Sequence, residues 1–211
     1  MEMTSKQWHR YLIKKLCEYL YKNSINGGFV ECGVKQGSSS VIMARELKTD
    51  GYLFDTWKGF PHFHNIDATH DRRRKQLQTR IETARDTYSE CVDNLKNNGV
   101  LKKCTMIRGD ICKTVPDFCN GKKIDINFLH IDTDLYEPAK VSLECFLPMV
   151  VKGGIIFFHD YGDGHWPGIT KIVDGMIEEG MSIHIFDKSK LFSAFVVKDV
   201  NNIDDYVRYI K

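Results

Sequence analysis

The sequence lacks an apolar run of the roughly 18 or more residues that a transmembrane helix requires, so we expect no membrane span. Residues 1–10 also lack the apolar stretch and small-residue cleavage site of a secretory signal. An excess of one charge is missing as well, because 30 Lys and Arg against 28 Asp and Glu leave a net charge of +2. A nucleic-acid partner is not expected, since such partners require a clustered basic surface.

The cysteines lack the spacing of a disulfide framework or a zinc cluster. There are seven, an odd number, and no Cys-x-x-Cys pair occurs. We therefore expect free thiols in a reducing compartment, and so a cytoplasmic protein. With 42% apolar and 11% aromatic residues, the 211 residues can bury the core of one globular domain, which begins with a helical segment over residues 1–27.

Short apolar runs alternate with helical patterns along most of the chain. The predicted strands cover residues 28–33, 51–55, 104–108, 126–132, 154–160, 182–186 and 192–197; the predicted helices cover residues 4–21, 41–47, 80–98, 114–119, 137–149 and 168–179. This alternation predicts an α/β fold with a doubly wound, Rossmann-like, mostly parallel sheet. Its last two strands follow each other directly, which predicts a terminal antiparallel hairpin.

One segment interrupts the alternation. Residues 56–79 are rich in His, Asp and Arg and show no strand period. A loop of this length inside a compact domain is usually functional, so we interpret it as a lid or acceptor loop. His62, His64, His70 and the Arg72–Arg74 run are candidates for contacts with an acceptor, with solvated side chains as the alternative. Trp57 and Trp166 are candidates for stacking or for core packing.

Acidic side chains stand at the ends of five consecutive predicted strands. Open α/β sheets bind ligands at the carboxyl ends of their strands, near the point where strand order reverses. The acids at these ends are Glu31, Asp55, Asp110, the pair Asp132 and Asp134, and Asp160, which follows His159. Packing rarely requires carboxylates, so this row predicts a binding site.

The first turn has the pattern Glu31-x-Gly33-x-x-x-Gly37 and not the Gly-x-Gly-x-x-Gly of a dinucleotide site. A carboxylate at Glu31 would repel a phosphate but could hold an ammonium group. Asp55, about twenty residues further on, suits the two hydroxyls of a ribose. A plain structural turn is the alternative for Glu31 alone. With Gly109 and Asp110 at the next strand end, S-adenosylmethionine is the favoured ligand.

Asp132, Asp134, His159 and Asp160 form a second constellation, because the fourth and fifth strands should be neighbours. Crowded carboxylates raise each other's pKa unless a cation neutralises them. Each acid taken singly is equally explained as a helix cap or a solvated loop residue. Four such groups together favour a divalent metal. Oxygen-rich ligands favour Mg²⁺ or Mn²⁺, while the imidazole would admit softer metals.

Four stretches resemble the macrocin O-methyltransferase (TylF-like) family, whose members are metal-dependent sugar O-methyltransferases. They are Glu31–Gly37, Phe54–Pro61, Ile131–Glu137 and Gly153–Gly162, followed by Pro167-Gly168. The resemblance covers residues 29–179 and implies a class I methyltransferase fold. His159 departs from the family, which usually has two adjacent acids at positions 159 and 160. The chain is also shorter before its first strand than family members are.

The resemblance assigns roles to residues of this chain. Asp134 would be the general base, and Asp132, His159 and Asp160 would hold the metal. The expected cofactor contacts are Glu31, Gly33, Gly37, Ser38, Asp55, Thr56, Gly109, Asp110 and Asp132. The acceptor is left open among a sugar, a nucleotide-sugar, a glycan end and a small phenol, and so is self-association into a homo-oligomer.

Two other functions compete with this one. The histidine at position 159 is compatible with a non-catalytic methyltransferase fold that binds cofactor or a partner without turnover. A nicotinamide oxidoreductase on a similar sheet is disfavoured by the missing Gly-x-Gly-x-x-Gly.

Overall fold

The computed structural model describes residues 3–186 and 191–210. The strands are β1 (Gly28–Cys32), β2 (Gly51–Asp55), β3 (Cys104–Arg108), β4 (Ile126–Ile131), β5 (Val150–His159), β6 (Ile183–Ile185) and β7 (Ser193–Val197). The helices are α1 (Ser5–Lys22), α2 (Ser38–Glu46), α3 (Asp71–Glu82), α4 (Tyr88–Asn97), α5 (Ile111–Cys119), α6 (Tyr136–Phe146), α7 (Pro167–Glu178) and α8 (Asp204–Ile210). Short 3₁₀ turns occur at Asn65–Asp67, Leu101–Lys103 and Leu147–Met149.

The strands form one sheet in the order β3-β2-β1-β4-β5-β7-β6. Strands β1 to β5 pair in parallel, whereas β7 is antiparallel to both β5 and β6. The predicted fold class is therefore confirmed, including the terminal antiparallel pair. Strand order reverses between β1 and β4, which lie side by side. A crevice at the carboxyl ends of these two strands is where such sheets bind ligands.

Hydrophobic cores cover both faces of the sheet. Alternate residues of β5 point to opposite faces, so Ile155 and Phe157 join one core while Ile156 and Phe158 join the other. Helices α1, α2, α4 and α8 contribute to the first core, and α5, α6 and α7 to the second. This burial on both faces explains why the central strands are almost entirely apolar in sequence.

Helix α1 begins with a capping box, in which the side chain of Thr4 accepts from the backbone N–H of Gln7 and the Gln7 side chain accepts from that of Thr4. Leu12, Leu16 and Leu20 form its buried face. The helix packs on α2 and α8, so its first turns reach the edge of the sheet where β1 and β4 end. None of the helices in the described ranges is long and apolar enough to cross a membrane.

The segment 56–79 is only partly a loop, because α3 begins at Asp71. The ring Nδ1 of His70 accepts from the backbone N–H of Arg73 and caps the helix. Only Arg73 and Leu77 of α3 are buried, so the helix shows almost no apolar periodicity, and this is why its pattern resembles a loop. The predicted helix 80–98 is in fact two helices, separated where the N–H of Thr87 donates to the carbonyl of Trp57 at 2.8 Å.

Helix α8 is absent from the sequence-based prediction, although it holds the sheet from one side. The hydroxyl of its Tyr206 donates to the carbonyl of Gly153 at 2.9 Å.

All seven cysteines are free thiols, as expected, and burial raises the pKa of Cys91 to about 12.

We expect Gly51→Ala to destabilise the fold. A Cβ at Gly51 would lie 2.2 Å from the ring of Phe29, which is fully buried. Overpacking of this kind costs about 1–3 kcal/mol, measured as the free energy of unfolding in urea. Gly175→Ala is the matched control, because nothing lies within 4 Å of a Cβ there. Equal stability of the two variants would contradict the tight contact between β1 and β2.

Candidate active site

A cavity of about 890 Å³ opens at the carboxyl ends of β1, β2, β4 and β5. It brings together most of the residues singled out by sequence: Gly33, Ser38, Asp55, Thr56, Asp110, Asp132, Asp134 and His159 all line it. The first turns of α1 and the segment after β2 form its outer walls through Ser5, Lys6, His9, Arg10 and Gly59 to His62. The cavity lies at the strand-order reversal, as expected for this fold.

Gly33 allows β1 and β4 to meet at the floor of the cavity. Its φ is +91°, and a Cβ there would lie 2.0 Å from the carbonyl oxygen of Asp132. Gly37 begins α2 in the left-handed region with φ +72°, and Gly109 donates its N–H to the carbonyl of Asp55. Neither Gly37 nor Gly109 lines the cavity, so both shape the loops that carry its walls.

The carboxylate of Asp55 organises the first turn. One oxygen accepts from the backbone N–H groups of Val34 and Lys35, each at 2.7 Å, and the other accepts from that of Trp57 at 2.7 Å. The hydroxyl of Thr56 lies 3.4 Å from the second oxygen, and Asp55 also lines the cavity. Thr56 donates its hydroxyl to the carbonyl of Gly59 and thereby closes the same loop.

Glu31 lies beneath the turn and outside the cavity lining. Its fully buried carboxylate accepts from the hydroxyls of Ser39 and Ser40 and faces the ring Nδ1 of His130 at 3.0 Å. These three contacts fasten the start of α2 to β1 and β4. The contact with a cofactor that the sequence pattern suggests for Glu31 therefore stays a prediction.

Asp110 caps α5 on the same wall as Asp55. One carboxylate oxygen accepts from the N–H of Cys112 at 3.1 Å. The other lies 3.9 Å from both the Nδ1 of His62 and the Nζ of Lys113. His62 is the one of the three loop histidines that lines the cavity.

The tips of β4 and β5 carry the crowded acids. The Nδ1 of His159 lies 3.1 Å from the carboxylate of Asp132 and 2.8 Å from that of Asp160. Asp134 and Asp160 both have positive φ values, 64° and 65°. Non-glycine residues in this left-handed region are strained, and such strain clusters at functional sites.

The charges of this cluster shift its pKa values in opposite directions. Burial, together with the negative charges of Asp160 and Asp132, raises the pKa of Asp134 well above its usual value. Burial also opposes ionisation of Asp132, but the neighbouring His159 outweighs it and lowers the pKa of that carboxyl. Burial likewise opposes protonation of His159, yet the two flanking carboxylates raise its pKa.

The donor set at these tips fits a divalent cation. Asp132, His159 and Asp160 each offer one ligand atom, and the three atoms lie within 4.8 Å of one another. One oxygen of Asp160, Oδ2, is buried without a hydrogen-bond partner among the described residues. Two carboxylates and one imidazole suit Mn²⁺ as well as Mg²⁺.

The remaining candidates from the sequence have mainly structural contacts. His64 and His70 cap helical turns by accepting from the N–H of Ile66 and of Arg73, respectively. Trp57 is buried against Tyr88. Trp166 packs beneath the guanidinium groups of α3, with that of Arg73 4.5 Å from its ring. Arg72 and Arg73 line a second, smaller cavity of about 470 Å³.

Two histidines near the acids were not anticipated from the sequence. The ring of His9, on α1, lies edge-on to that of His159 with centroids 4.5 Å apart. The ring of His130, in β4, lies 5.3 Å from that of His9. His9 belongs to no motif, and His130 sits inside an apolar strand pattern. The alternation of side chains along β4 was the one available signal, since residues 130 and 132 share a face.

The fold is an open α/β sheet with a cavity at the carboxyl ends of its strands, as in proteins that bind ligands there. A comparison with known protein families identifies the family. Residues 30–161 match the family model described as a methyltransferase domain. The match covers more than half of the chain, which therefore belongs to this family. The methyltransferase family that the sequence motifs indicate is thereby confirmed.

Individual relatives are more distant. A protein of Streptomyces olivaceus named 8-demethyl-8-(2,3-dimethoxy-alpha-L-rhamnosyl)-tetracenomycin-C 4'-O-methyltransferase is 24% identical over 151 residues, which are 68% of this chain and 56% of that relative. The chain thus spans little more than half the length of this curated relative.

Solved structures share the fold. The O-methyltransferase NovP matches with a TM-score of 0.73 and 21% identity, covering 90% of this chain and 79% of that chain. CalS11, a calicheamicin methyltransferase, matches with a TM-score of 0.64 and 20% identity over the same shares. An O-methyltransferase from Bacillus cereus, solved in complex with SAH, has a TM-score of 0.58 and 15% identity, covering 88% of this chain and 80% of that chain.

We expect Asp55→Ala to lower both stability and ligand affinity. Loss of a charged acceptor for three backbone N–H groups should reduce the free energy of unfolding by about 1–3 kcal/mol. Affinity for S-adenosylhomocysteine, measured by calorimetric titration, should fall by roughly 1.5–3 kcal/mol. Asp117→Ala, at an exposed position of α5, is the control. Unchanged affinity in a folded Asp55 variant would remove this residue from the ligand site.

Proposed function

We propose that this protein is an S-adenosylmethionine-dependent O-methyltransferase that acts on a hydroxyl of a sugar or glycan-type acceptor with the help of a divalent cation. The observation that carries the proposal is a group of acids at the tips of β4 and β5. Asp132, Asp134 and His159 line one wall of the cavity, and Asp160 lies behind them against His159, while Asp55 and Asp110 line the other wall. Membership of the methyltransferase family supports it, as do the names of the sugar-modifying relatives.

The cofactor half of the cavity suits a nucleoside with a cationic tail. The carboxylate of Asp55 can accept from a ribose hydroxyl, and Asp110 lies on the same wall, at the end of the neighbouring strand β3. The backbone of Gly33, packed on that of Asp132, lets a ligand approach both strands closely. The acids lining this half favour a sulfonium and an ammonium over a phosphate.

Asp134 is suited to accept the proton of the acceptor hydroxyl. An alcohol is a poor nucleophile until its proton is leaving, and a general base works best when its pKa lies near the operating pH. Burial and the neighbouring carboxylates raise the pKa of Asp134, which makes it a stronger base than a solvated aspartate. His159 lies between Asp132 and Asp160 and keeps these two carboxylates in place.

Asp132, His159 and Asp160 would hold the cation. When bound, a divalent cation lowers the pKa of a coordinated hydroxyl. The walls formed by α1 and by residues 59–62 limit the access of water. Alignment of a methyl group with an acceptor oxygen can lower the barrier by about 7–11 kcal/mol in favourable cases. The cofactor would lie against the wall with Asp55 and Asp110, and the acceptor against the wall with Asp132 and Asp134.

We further propose that the chain forms a single domain and works in the cytoplasm. The seven free cysteines support this location, because it is a reducing environment. Arg72 and Arg73 beside the second cavity favour an acceptor that carries an anionic group. Since one solved structure is titled as a TDP-rhamnose 3'-O-methyltransferase, TDP-rhamnose is the first acceptor to assay, with neutral rhamnosides beside it. Methyl transfer from labelled S-adenosylmethionine is the readout.

Chelation should separate binding from turnover. With an acceptor that is methylated, EDTA should abolish transfer but leave the affinity for S-adenosylhomocysteine nearly unchanged, because Asp55 and Asp110 do not belong to the cation group. Mg²⁺ or Mn²⁺ should restore activity. Full activity in EDTA would refute the cation, and binding of S-adenosylhomocysteine without transfer to any acceptor would favour the non-catalytic alternative.

Asp134→Asn tests the base separately. The variant keeps the size of the side chain but loses the proton acceptor, so the rate of transfer should fall about 10²–10⁴-fold while cofactor affinity is retained. Asp93→Asn, at an exposed position of α4, is the matched control and should match the wild type. A fully active Asp134→Asn enzyme would exclude this residue as the base and leave the cation assignment standing.

A further inference from the structure

Two buried imidazole nitrogens near the active site have no hydrogen-bond partner among the described residues. They are the Nδ1 of His9 and the Nε2 of His130. A buried polar atom without a hydrogen-bond partner lowers the stability of the folded state by about 1–3 kcal/mol. Two such nitrogens close together therefore require an explanation. The two rings come from distant parts of the chain and meet at 5.3 Å between centroids.

These histidines and Asp132 have the arrangement of a metal-binding group. Each of the three offers one ligand atom, and the three atoms lie within 4.8 Å of one another. Ligand atoms bound to one tetrahedral Zn²⁺ at about 2.1 Å lie roughly 3.4 Å apart, so the three side chains would move closer together on binding by rotamer adjustment. His9 and Asp132 also line the cavity, which gives an ion a path of entry.

Glu31 orients His130 as an outer carboxylate orients a metal-bound histidine. Its Oε1 lies 3.0 Å from the Nδ1 of His130, and both side chains are fully buried. A carboxylate at Nδ1 fixes the proton there, which leaves the lone pair on Nε2 free for a ligand. The hydroxyls of Ser39 and Ser40 in turn hold Glu31.

The charge balance also favours a cation. Glu31 is buried without a lysine or arginine ion pair in the described part of the chain; its ionic neighbour is His130. Buried carboxylates normally require compensation, and a dication bound by His130 would provide it.

We propose that His9, His130 and Asp132 form a second cation site, selective for an imidazole-preferring transition metal such as Zn²⁺. It shares Asp132 with the Mg²⁺ or Mn²⁺ site of the proposed function but stands on different evidence, the two unpaired nitrogens and Glu31. Since His9 lies on α1 and His130 on β4, the bound ion would fasten the helix that walls the cavity to the strand that carries the acids.

The test is calorimetric titration of the full chain with Zn²⁺ in the presence of excess Mg²⁺. One Zn²⁺ should bind per chain. His9→Gln and His130→Gln should each lower the affinity by more than the roughly 10–100-fold expected for Glu31→Gln, which removes only the outer carboxylate. His165→Gln, at an exposed position, is the matched control. Binding of S-adenosylhomocysteine shows that each variant is folded.

His159→Ala distinguishes the two sites. It should leave Zn²⁺ affinity close to that of the wild type, although it removes a ligand of the site in the proposed function. Loss of Zn²⁺ binding in His159→Ala with retention in His9→Gln would overturn this inference and leave the proposed function intact. Absence of Zn²⁺ binding to the wild type would overturn it as well.

Amide hydrogen exchange gives a second readout that is independent of activity. Zn²⁺ should slow the exchange of residues 5–22 in the wild type, because the ion ties α1 to β4, and should leave it unchanged in His9→Gln. Equal protection of α1 in both proteins would show that the ion does not use His9 and would contradict the proposal.

Discussion

The burial of negative charge at one edge of the sheet is the constraint on which the site depends. Asp132, Asp134 and Asp160 converge where β4 and β5 end, and Glu31 lies fully buried beside β4. Carboxylates in such surroundings must be paired, protonated or neutralised by a cation. The protein uses the first means in part, through His159, and the unpaired Oδ2 of Asp160 favours the third.

The sheet supplies a rigid frame that holds these acidic side chains close together despite their mutual repulsion. Strands β4 and β5 are buried on both faces and pair in parallel from Phe128 to Ile131. Their ends therefore cannot separate to relieve the repulsion between acids. The left-handed backbone at Asp134 and Asp160 persists for the same reason, since the surrounding structure holds these residues in place.

Helix α1 and helix α3 complete the site from outside the sheet. The first brings His9 within ring contact of His159, and the second packs Arg73 onto Trp166 in the segment that follows β5. Both helices contribute to the wall of the cavity, α1 through its first turns and α3 through Arg80.

Much of this could be predicted from the sequence, because the signals are local. Apolar runs that alternate with helical patterns determine a parallel sheet, and an acid after each run determines a row of carboxylates along one edge of it. Gly33 stands out in the sequence as part of the first turn, but what requires a glycine there is the tertiary approach of the Asp132 backbone. Helix α3 escaped prediction because it exposes nearly all of its side chains and so lacks periodicity.

Tertiary structure alone decided which of these groups meet. Glu31 lies beneath the first turn and contacts His130, because β1 and β4 are neighbouring strands in which these two residues are paired. His9 reached the acids because α1 packs across α2 and α8, a contact between segments far apart in sequence. Residue types and periodicity specify the elements and their chemistry, whereas the neighbours of a side chain follow from long-range packing that no local pattern encodes.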